Sequence, residues 1–200
     1  MEQLDALDRS LLLWLNAKHA VGLDGFMMAA TDTKFWIPLY LLFIFLLFRK
    51  LDNHAWLALA CIGLAILVSD QLTSGLIKPL VQRLRPSHNP DLEGLLHLVK
   101  DGAGQFYRGG MYGFPSSHAS NSFAIATLLY LLLKNHLRLM GLIFIPAALM
   151  TYTRIYLGVH YPFDIFTGII IGIVTAILCH KLYKRILTSQ NHKRSANLEG

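Results

Sequence analysis

The sequence predicts an all-α protein, a polytopic bundle of transmembrane helices, from its composition, its apolar runs and its charged turns. Of its 200 residues, 54% are hydrophobic and 15% are charged, which is less charge than soluble domains carry. Several apolar stretches approach the roughly 20 residues that a helix needs to cross a bilayer. Lys and Arg are concentrated in alternate connections, as on the cytoplasmic side of membrane proteins. Together these observations indicate five crossings, with six as the alternative.

Residues 1–33 are predicted to form interfacial helices. Leu4, Leu7 and Leu11 recur at helical spacing, while Asp5 and Asp8 fall on the opposite side of the same helix. That pattern is typical of a helix lying along a membrane surface. A second short helix is expected nearby. The acidic start and the short apolar run argue against a cleavable signal peptide.

The remaining helices are predicted to be membrane crossings. They are expected at 35–48 (lengthened by 31–34), 55–80, 117–133, 137–152 and 162–183. Their basic turns at 49–50 and 134–138 would lie in the cytoplasm with the C-terminus. The long glycine-rich connection 87–114 would face outward, either as a cap over a site or as a solvated connector. We expect one membrane domain over 1–188 and a polar tail over 189–200.

The remaining composition excludes several classes of protein. The net charge of +6 is spread along the chain without a nucleic-acid-binding motif, so no nucleic-acid partner is expected. Cys61 and Cys179 lie inside apolar runs and are interpreted as buried hydrophobic residues, not as a disulfide. No carboxylate cluster suited to Mg²⁺ is visible, and no metal or other cofactor is predicted.

Polar residues are grouped in three fragments where apolar runs meet the predicted outer surface. These are Lys-Pro-Leu-Val-Gln-Arg-Leu-Arg-Pro at 78–86, Pro-Ser-Ser-His at 115–118, and Thr-Arg-Ile-Tyr-Leu-Gly-Val-His-Tyr-Pro-Phe-Asp at 153–164. They supply cations, hydroxyls, two histidines and a carboxylate. This set of groups can bind a phosphate and transfer it to a histidine.

The first fragment contains the candidate phosphate-binding cations. Lys78 and Arg85 are seven residues apart, so on a continuous helix they would point the same way until Pro86 ended it. The alternative is a basic cluster whose side chains extend to lipid headgroups, an interpretation that suits Arg83 better than Arg85. Asp70, earlier in the same apolar run, is expected to face the bundle interior in a structural role.

The second fragment has the pattern of a helix start. Because proline suits the first turn of a helix, the backbone N–H groups of Ser116, Ser117 and His118 would form an anion site at a helix N-terminus. His118 could then donate a proton to a departing oxygen. Alternatively, the serines only cap the helix and His118 is an interfacial packing residue.

The third fragment places Arg154, His160 and Asp164 around a predicted helix end and the start of the next helix. The spacing of four residues lets Asp164 accept a hydrogen bond from the His160 Nδ1–H, which leaves Nε2 free to attack phosphorus. The alternative is a structural ion pair at the membrane surface. The presence of three such fragments on one face favours a catalytic site.

The three fragments resemble the signature of the type 2 phosphatidic acid phosphatase (PAP2) superfamily, which includes vanadium haloperoxidases. That signature is Lys, six residues, Arg-Pro; then Pro-Ser-Gly-His; then Ser-Arg, five residues, His, three residues, Asp. Every spacing is met. Ser117 stands where the family usually has Gly, and a serine there would be strained only if its φ were positive. Thr153 stands where the family has Ser.

The resemblance implies a role for each polar residue of the fragments. The substrate-binding residues would be Lys78, Arg85, Ser116, Ser117 and Arg154. The catalytic residues would be His160 as nucleophile, Asp164 as the carboxylate that orients it, and His118 as the acid that protonates the leaving group. The family is metal-independent, which implies catalysis without a cofactor.

The expected function is therefore a membrane lipid phosphatase with a phosphohistidine intermediate, acting on a lipid phosphate within the bilayer. Undecaprenyl diphosphate is the first predicted substrate. Phosphatidylglycerophosphate, phosphatidic acid, lipid A 1-phosphate and lipid phosphotransfer are alternatives. Vanadate-dependent haloperoxidase activity and a non-enzymatic lipid carrier fit less well. The expected location is a bacterial inner membrane, with the site facing the periplasm and the C-terminus cytoplasmic; no oligomeric state is predicted.

Overall fold

The computed structural model describes residues 2–196, and no β-strand occurs among them beyond isolated bridges. The helices are α1 (Glu2–Asn16), α2 (Asp24–Thr31), α3 (Ile37–Leu51), α4 (Ala55–Asp70), α5 (Lys78–Val81), α6 (Ser117–Leu133), α7 (Phe144–Tyr156) and α8 (Pro162–Ala196). A π-helical segment, Gln71–Ile77, joins α4 to α5. The predicted all-α class is confirmed.

Two stretches are long and apolar enough to cross a membrane, Thr33–Val81 and Pro162–Gln190. The first is divided at Asp52, whose φ of 45° and ψ of −125° end α3. Helix α6 and the stretch Met140–Tyr156 are apolar but shorter. The architecture is that of a helical membrane bundle, and the number of five crossings stays a prediction.

Helices α6 and α8 pack backbone against backbone. Gly168 and Gly172 lie one turn apart on α8, and a Cβ on either residue would collide with the carbonyl oxygen of Ser116 or Ser120. Small residues permit this close approach of membrane helices. The packing brings the N-terminus of α6 beside the first turn of α8, where the Ser116 N–H donates to the Asp164 carbonyl oxygen at 2.9 Å.

The buried apolar side chains separate the two ends of the bundle. The largest cluster joins the end of α3, the end of α6 and the second half of α8, through residues such as Leu47, Leu133 and Cys179. A second cluster, which contains Leu12 and Ile165, surrounds the first turn of α8. The predicted basic connections therefore share one end of the bundle, and the three polar fragments lie at the other. Which end faces the cytoplasm stays a prediction.

Helix α1 turns its polar side toward the protein, and the sequence pattern alone did not indicate this. Asp8 is 1% exposed, whereas Leu4 is 58% and Trp14 59% exposed. The Asp8 carboxylate accepts the backbone N–H of Phe163 at 2.9 Å and pairs with Arg83. Since a buried carboxylate needs such partners, Asp8 faces the protein together with Leu12, and the side of α1 that carries Leu4, Leu7 and Trp14 faces outward.

Helix α8 continues through most of the segment 189–200 that was predicted to be a polar tail. Met1 and the last four residues of that tail, 197–200, lie outside the described residues. The division into a domain over 1–188 and a tail stays a prediction.

Candidate active site

The helix that carries Lys78 ends before Arg85, contrary to the sequence prediction. Helix α5 stops at Val81, Gln82 adopts the left-handed conformation (φ 51°, ψ 29°), and Arg85 is extended (φ −65°, ψ 154°). The proposed two-turn spacing of Lys78 and Arg85 on one helix is therefore wrong. Both residues still line one cavity, because the chain turns at Gln82 and the Arg85 N–H then donates to the Met111 carbonyl oxygen at 2.9 Å.

Arg85 is buried beneath the connection 87–114. Its Nε donates to the Tyr112 carbonyl oxygen at 3.1 Å, while its Nη1 is buried and has no hydrogen-bond partner in the described part of the chain. A Cβ at Gly109, where φ is +66°, would lie 2.8 Å from that Nη1, so this position needs glycine. Burial, followed by the charge of Arg154, lowers the pKa of Arg85 to about 10. The connection thus forms one wall of the site.

Ser116 is the N-cap of α6. Its Oγ accepts the Ala119 N–H at 3.4 Å, and its own N–H donates to Asp164, so both of its polar groups have internal partners. Helix geometry gives the N–H groups of Ser117 and His118 no intrahelical acceptor, and they can serve an anion. Ser117 lies in the helix and is not among the residues with positive φ, so serine at the usual glycine position is unstrained.

The Ser117 hydroxyl links α6 to the π-helical segment. It lies 2.6 Å from Ser74 Oγ, 3.1 Å from Thr73 Oγ1 and 3.3 Å from Lys78 Nζ. The last contact is a hydrogen bond that the ammonium donates. Serine at this position therefore helps to hold Lys78 at the N-terminus of α6.

Arg154 is 1% exposed. Its Nη1 donates to Thr31 Oγ1 at 2.5 Å and to the Tyr107 hydroxyl at 3.3 Å, and its Nε is buried without a partner within residues 2–196. No carboxylate pairs with it in that range. Because a buried guanidinium without a counter-charge is costly, an anion would be strongly favoured beside it. Neither Tyr107 nor Thr31 was among the predicted site residues.

His160 and Asp164 adopt the contact that their spacing predicted. His160 is fully buried, and its Nδ1 lies 3.3 Å from Asp164 Oδ2, an oxygen that also accepts the Tyr161 N–H at 3.0 Å. The His160 Nε2 is buried and unpartnered in the described chain. Burial, followed by the charges of the neighbouring cations, lowers the pKa of His160 well below its usual value. The ring is therefore neutral at physiological pH, with Nε2 as its free nitrogen.

His118 completes the group. The charges of Arg154 and Arg85 act on it together with the His160 ring, and it lines the same cavity as Lys78. The structure thus brings every predicted site residue into one region. These residues are His160, His118, Asp164, Lys78, Arg85, Ser116, Ser117 and Arg154. Ser116 differs from the others because its polar groups bond to α6 and to the Asp164 backbone.

A cavity of about 670 Å³, lined at its polar end by Lys78, Arg85, Ser117 and His118, extends into the bundle between α3, α4 and α6. Its inner wall is mostly apolar, with Phe43, Ile62 and Leu129 among the lining residues. Asp70 also lines it and accepts a hydrogen bond from Ser74 at 3.3 Å, so it faces the interior as predicted. A polar end on an apolar cavity suits a ligand with a charged head and hydrocarbon chains.

Arg83 is the residue whose interpretation the structure overturns. Its side chain is 22% exposed and lies 2.9 Å from Asp164 Oδ1, 2.8 Å from Asp8 Oδ2 and 3.0 Å from Asp5 Oδ1. The guanidinium also covers the Tyr161 ring at 4.0 Å. The expected extension to headgroups is wrong, because three carboxylates hold the side chain inside the protein. Those carboxylates are distant in sequence, so the local pattern gave no signal of this contact.

The sequence profile of the PAP2 superfamily matches residues 58–187. The chain is 38% identical to the lipid A 4′-phosphatase of Bacteroides thetaiotaomicron, over 93% of this chain and 83% of that protein. It is 35% identical to the lipid A 4′-phosphatase of Porphyromonas gingivalis, over 92% and 75%. The putative undecaprenyl-diphosphatase YbjG of Escherichia coli is 32% identical, but over only 36% of this chain and 40% of its own length.

Two solved structures share the fold. LpxE of Aquifex aeolicus superposes with a TM-score of 0.62 at 28% identity, covering 88% of this chain and 95% of its own. A PAP2-type phosphatidylglycerolphosphate phosphatase from Bacillus subtilis superposes with a TM-score of 0.68, covering 93% and 89%. At 21% identity, the second likeness shows the fold alone.

Proposed function

The chain belongs to the PAP2 superfamily and is a membrane lipid phosphatase; from this premise we propose that it removes the 4′ phosphate of a lipid A-type glycolipid. Two lipid A 4′-phosphatases match more than nine-tenths of the chain, and they support this choice of substrate. The observation that carries the catalytic part is a set of buried nitrogens that have no hydrogen-bond partner among residues 2–196. These are Arg85 Nη1, Arg154 Nε and His160 Nε2. Such groups can bind phosphoryl oxygens and attack phosphorus.

Substrate binding is proposed to use the unpaired cations. Lys78, Arg85 and Arg154 neutralise the phosphate oxygens, and the N–H groups at the start of α6 donate to them. Part of the fatty-acyl region enters the apolar cavity, whose volume is about 670 Å³, and the remainder stays among the bilayer lipids. The phosphate then lies at the polar end, within reach of His160.

The proposed chemistry proceeds in two displacements. His160 Nε2 forms a bond to phosphorus as the bond from phosphorus to the lipid oxygen breaks, and His118 donates a proton to that oxygen. Asp164 accepts the Nδ1–H bond throughout and stabilises the charge that develops on the ring. Water then loses a proton to His118 and attacks phosphorus. The bond between nitrogen and phosphorus breaks, which releases inorganic phosphate and restores His160.

Undecaprenyl diphosphate, the first predicted substrate, is the second candidate. The similarity to YbjG favours it, but that match spans little more than a third of the chain. The apolar walls of the cavity suit a polyprenyl chain as well as an acyl chain. A direct comparison of substrates therefore decides between them.

The deciding experiment compares purified lipid phosphates in detergent with EDTA present. We expect kcat/KM for a lipid A 4′-phosphate to exceed that for undecaprenyl diphosphate by at least about tenfold, with mass spectrometry locating the lost phosphate at the 4′ position. His160→Gln should abolish both turnover and the acid-labile phosphoenzyme. Preferential hydrolysis of undecaprenyl diphosphate, with lipid A left intact, would reverse the assignment.

We also infer five membrane crossings, with the polar fragments facing the periplasm and the C-terminus in the cytoplasm of a bacterial inner membrane. The grouping of the basic connections at one end of the bundle supports this topology. The connection 87–114 is proposed to act as the outer cap, because it contributes Tyr107 to Arg154 and the Tyr112 carbonyl to Arg85.

A further inference from the structure

We propose that Arg83 and Asp8 are a positioning pair for Asp164, and that the amino-terminal helix α1 is thereby part of the active site. The inference rests on the proposed role of His160 as nucleophile. It assigns functions to two residues that lie outside the predicted site.

The two oxygens of the buried Asp164 carboxylate have different partners. Oδ2 faces His160 Nδ1 at 3.3 Å and accepts the Tyr161 N–H at 3.0 Å. Oδ1 accepts a hydrogen bond from Arg83 Nη1 at 2.9 Å. Rotation of the carboxylate would break a hydrogen bond at each oxygen, so Arg83, together with the Tyr161 N–H, sets the angle at which Oδ2 meets the imidazole. A buried carboxylate also needs a cation to remain charged.

Arg83 is itself held in place by α1. Its Nη2 lies 2.8 Å from Asp8 Oδ2, an ion pair outside hydrogen-bond geometry, and donates to Asp5 Oδ1 at 3.0 Å. The Tyr161 ring lies 4.0 Å from its guanidinium carbon. Burial alone would lower the pKa of Arg83, but the charge of Asp164 and the contact with Asp8 outweigh it and raise that pKa.

Asp8 also binds the backbone of the first turn of α8, the turn that carries Asp164. Its Oδ1 accepts the Phe163 N–H at 2.9 Å, at the start of α8 and one residue before Asp164. A carboxylate at a helix N-terminus satisfies a free backbone donor and interacts favourably with the helix dipole. Asp8 therefore fixes both the cation that bonds to Asp164 and the backbone from which Asp164 projects.

Arg85 cannot replace Arg83 in this role. Its charge also acts on Asp164, but its Nε is bonded to the Tyr112 carbonyl oxygen and its Nη1 is unpartnered in the described chain. Arg83 is the arginine that bonds to the carboxylate. Removing it should therefore impair catalysis more than substrate binding.

The test measures kcat, KM and the rate of phosphoenzyme formation for Arg83→Met, Arg83→Lys and Asp8→Asn. For Arg83→Met we expect kcat to fall about 100-fold or more with KM within about threefold, because an orienting group is lost and the phosphate-binding cations remain. Arg83→Lys should recover about tenfold of that loss, since it restores the charge without the planar fork. Asp8→Asn should lower kcat about tenfold, because the amide keeps the Phe163 contact but loses the charge.

Lys18→Gln is the matched control, because Lys18 closely follows α1, is exposed, and places its ammonium 5.2 Å from the Trp14 ring, with no ion pair to Asp5, Asp8 or Asp164. Its kcat should stay within about twofold of the original enzyme. The proposal is overturned if Arg83→Met keeps kcat within about threefold, or if KM and kcat deteriorate together and Arg83→Lys restores neither. A phosphoenzyme in His160→Gln would overturn the proposed function itself, whatever the Arg83 variants show.

Discussion

Arg85 and Arg154 are buried cations that no carboxylate neutralises within residues 2–196. Each retains unused hydrogen-bonding capacity at the place where a phosphate is proposed to bind. Charge in such a setting lowers the stability of the protein and raises its affinity for an anion. A residue that catalysis requires can therefore lower the stability of the folded protein.

Replacing Arg85 with Met should separate these two effects. The variant removes a buried charge whose pKa burial lowers to about 10, so the substrate-free protein should gain about 1 kcal/mol of unfolding free energy. Its kcat/KM should fall by about 1,000-fold. Thermal unfolding in detergent and phosphate release measure the two quantities. Arg138→Met, an exposed control, should change neither, and a lower unfolding temperature for Arg85→Met would contradict the expectation.

His160 should make the folded protein sensitive to acid. Its pKa in the fold lies well below the ordinary value of 6.5, so below about pH 6.5 the unfolded chain binds a proton that the folded protein excludes. Stability therefore falls as the pH drops from 6.5 toward the folded pKa, by up to about 1.4 kcal/mol per pH unit. His160→Gln should remove this contribution. Unfolding at pH 7.5, 6 and 5 compares the two slopes, and equal slopes would refute the claim.

Local spacing predicted the site residues, but not the contacts between distant ones. The relation of His160 to Asp164 followed from four residues of sequence. By contrast, Arg83 and Asp164 are 81 residues apart, and nothing near Arg83 indicates that carboxylates surround it. The left-handed backbone conformation of Gln82 could not be predicted either, because the residue that most often indicates that conformation is glycine.

At the scale of helices, the apolar pattern and the polar or proline residues that interrupt it predicted where three of the helices begin. The expected starts at 55, 117 and 162 coincide with those of α4, α6 and α8. Helix α7 begins at Phe144, later than the expected 137, and continues to Tyr156. Pro146 lacks a backbone N–H and fits only the first turn of a helix, which explains the late start. The apolar pattern continued through this stretch and so gave no boundary.

The close packing of α6 on α8 predicts a severe effect for a small substitution. Gly172→Ala should cost about 1–3 kcal/mol of unfolding free energy, because its methyl group would collide with the Ser120 carbonyl oxygen. Thermal unfolding in detergent measures this cost. Gly63→Ala on α4 is the matched control, since nothing lies within 4 Å of its Cβ position. That change should be neutral or stabilising, and equal effects for the two variants would contradict the packing argument.

For the whole molecule, membership of the PAP2 superfamily confirms the resemblance that the spacing of the polar fragments indicated. The substrate was less accessible to sequence reasoning. The motif residues are proposed to contact a phosphate group, which lipid A, phosphatidic acid and undecaprenyl diphosphate all possess. We expect the features that distinguish these lipids to lie in the cavity, whose walls come from several helices and connecting segments and whose shape no short segment encodes.

The proposed topology predicts which loops are accessible from outside. In a Cys61→Ala/Cys179→Ala background, Arg49→Cys should react with a membrane-impermeant maleimide only after the membrane is permeabilised. Ala103→Cys, in the connection 87–114, should react in intact spheroplasts. Arg49 and Ala103 are both exposed in the structure, so burial does not confound the comparison. The opposite labelling pattern would invert the topology.

The bond between Asp8 and Phe163 joins positions 155 residues apart. The ribosome completes α1 long before it reaches α8, so the amino-terminal helix must wait without its permanent partners during most of translation. If Asp8 positions the catalytic carboxylate, the site is complete only when the first and the last helices of the chain have met. A cut anywhere between them would then leave activity dependent on the two fragments finding each other again within the bilayer.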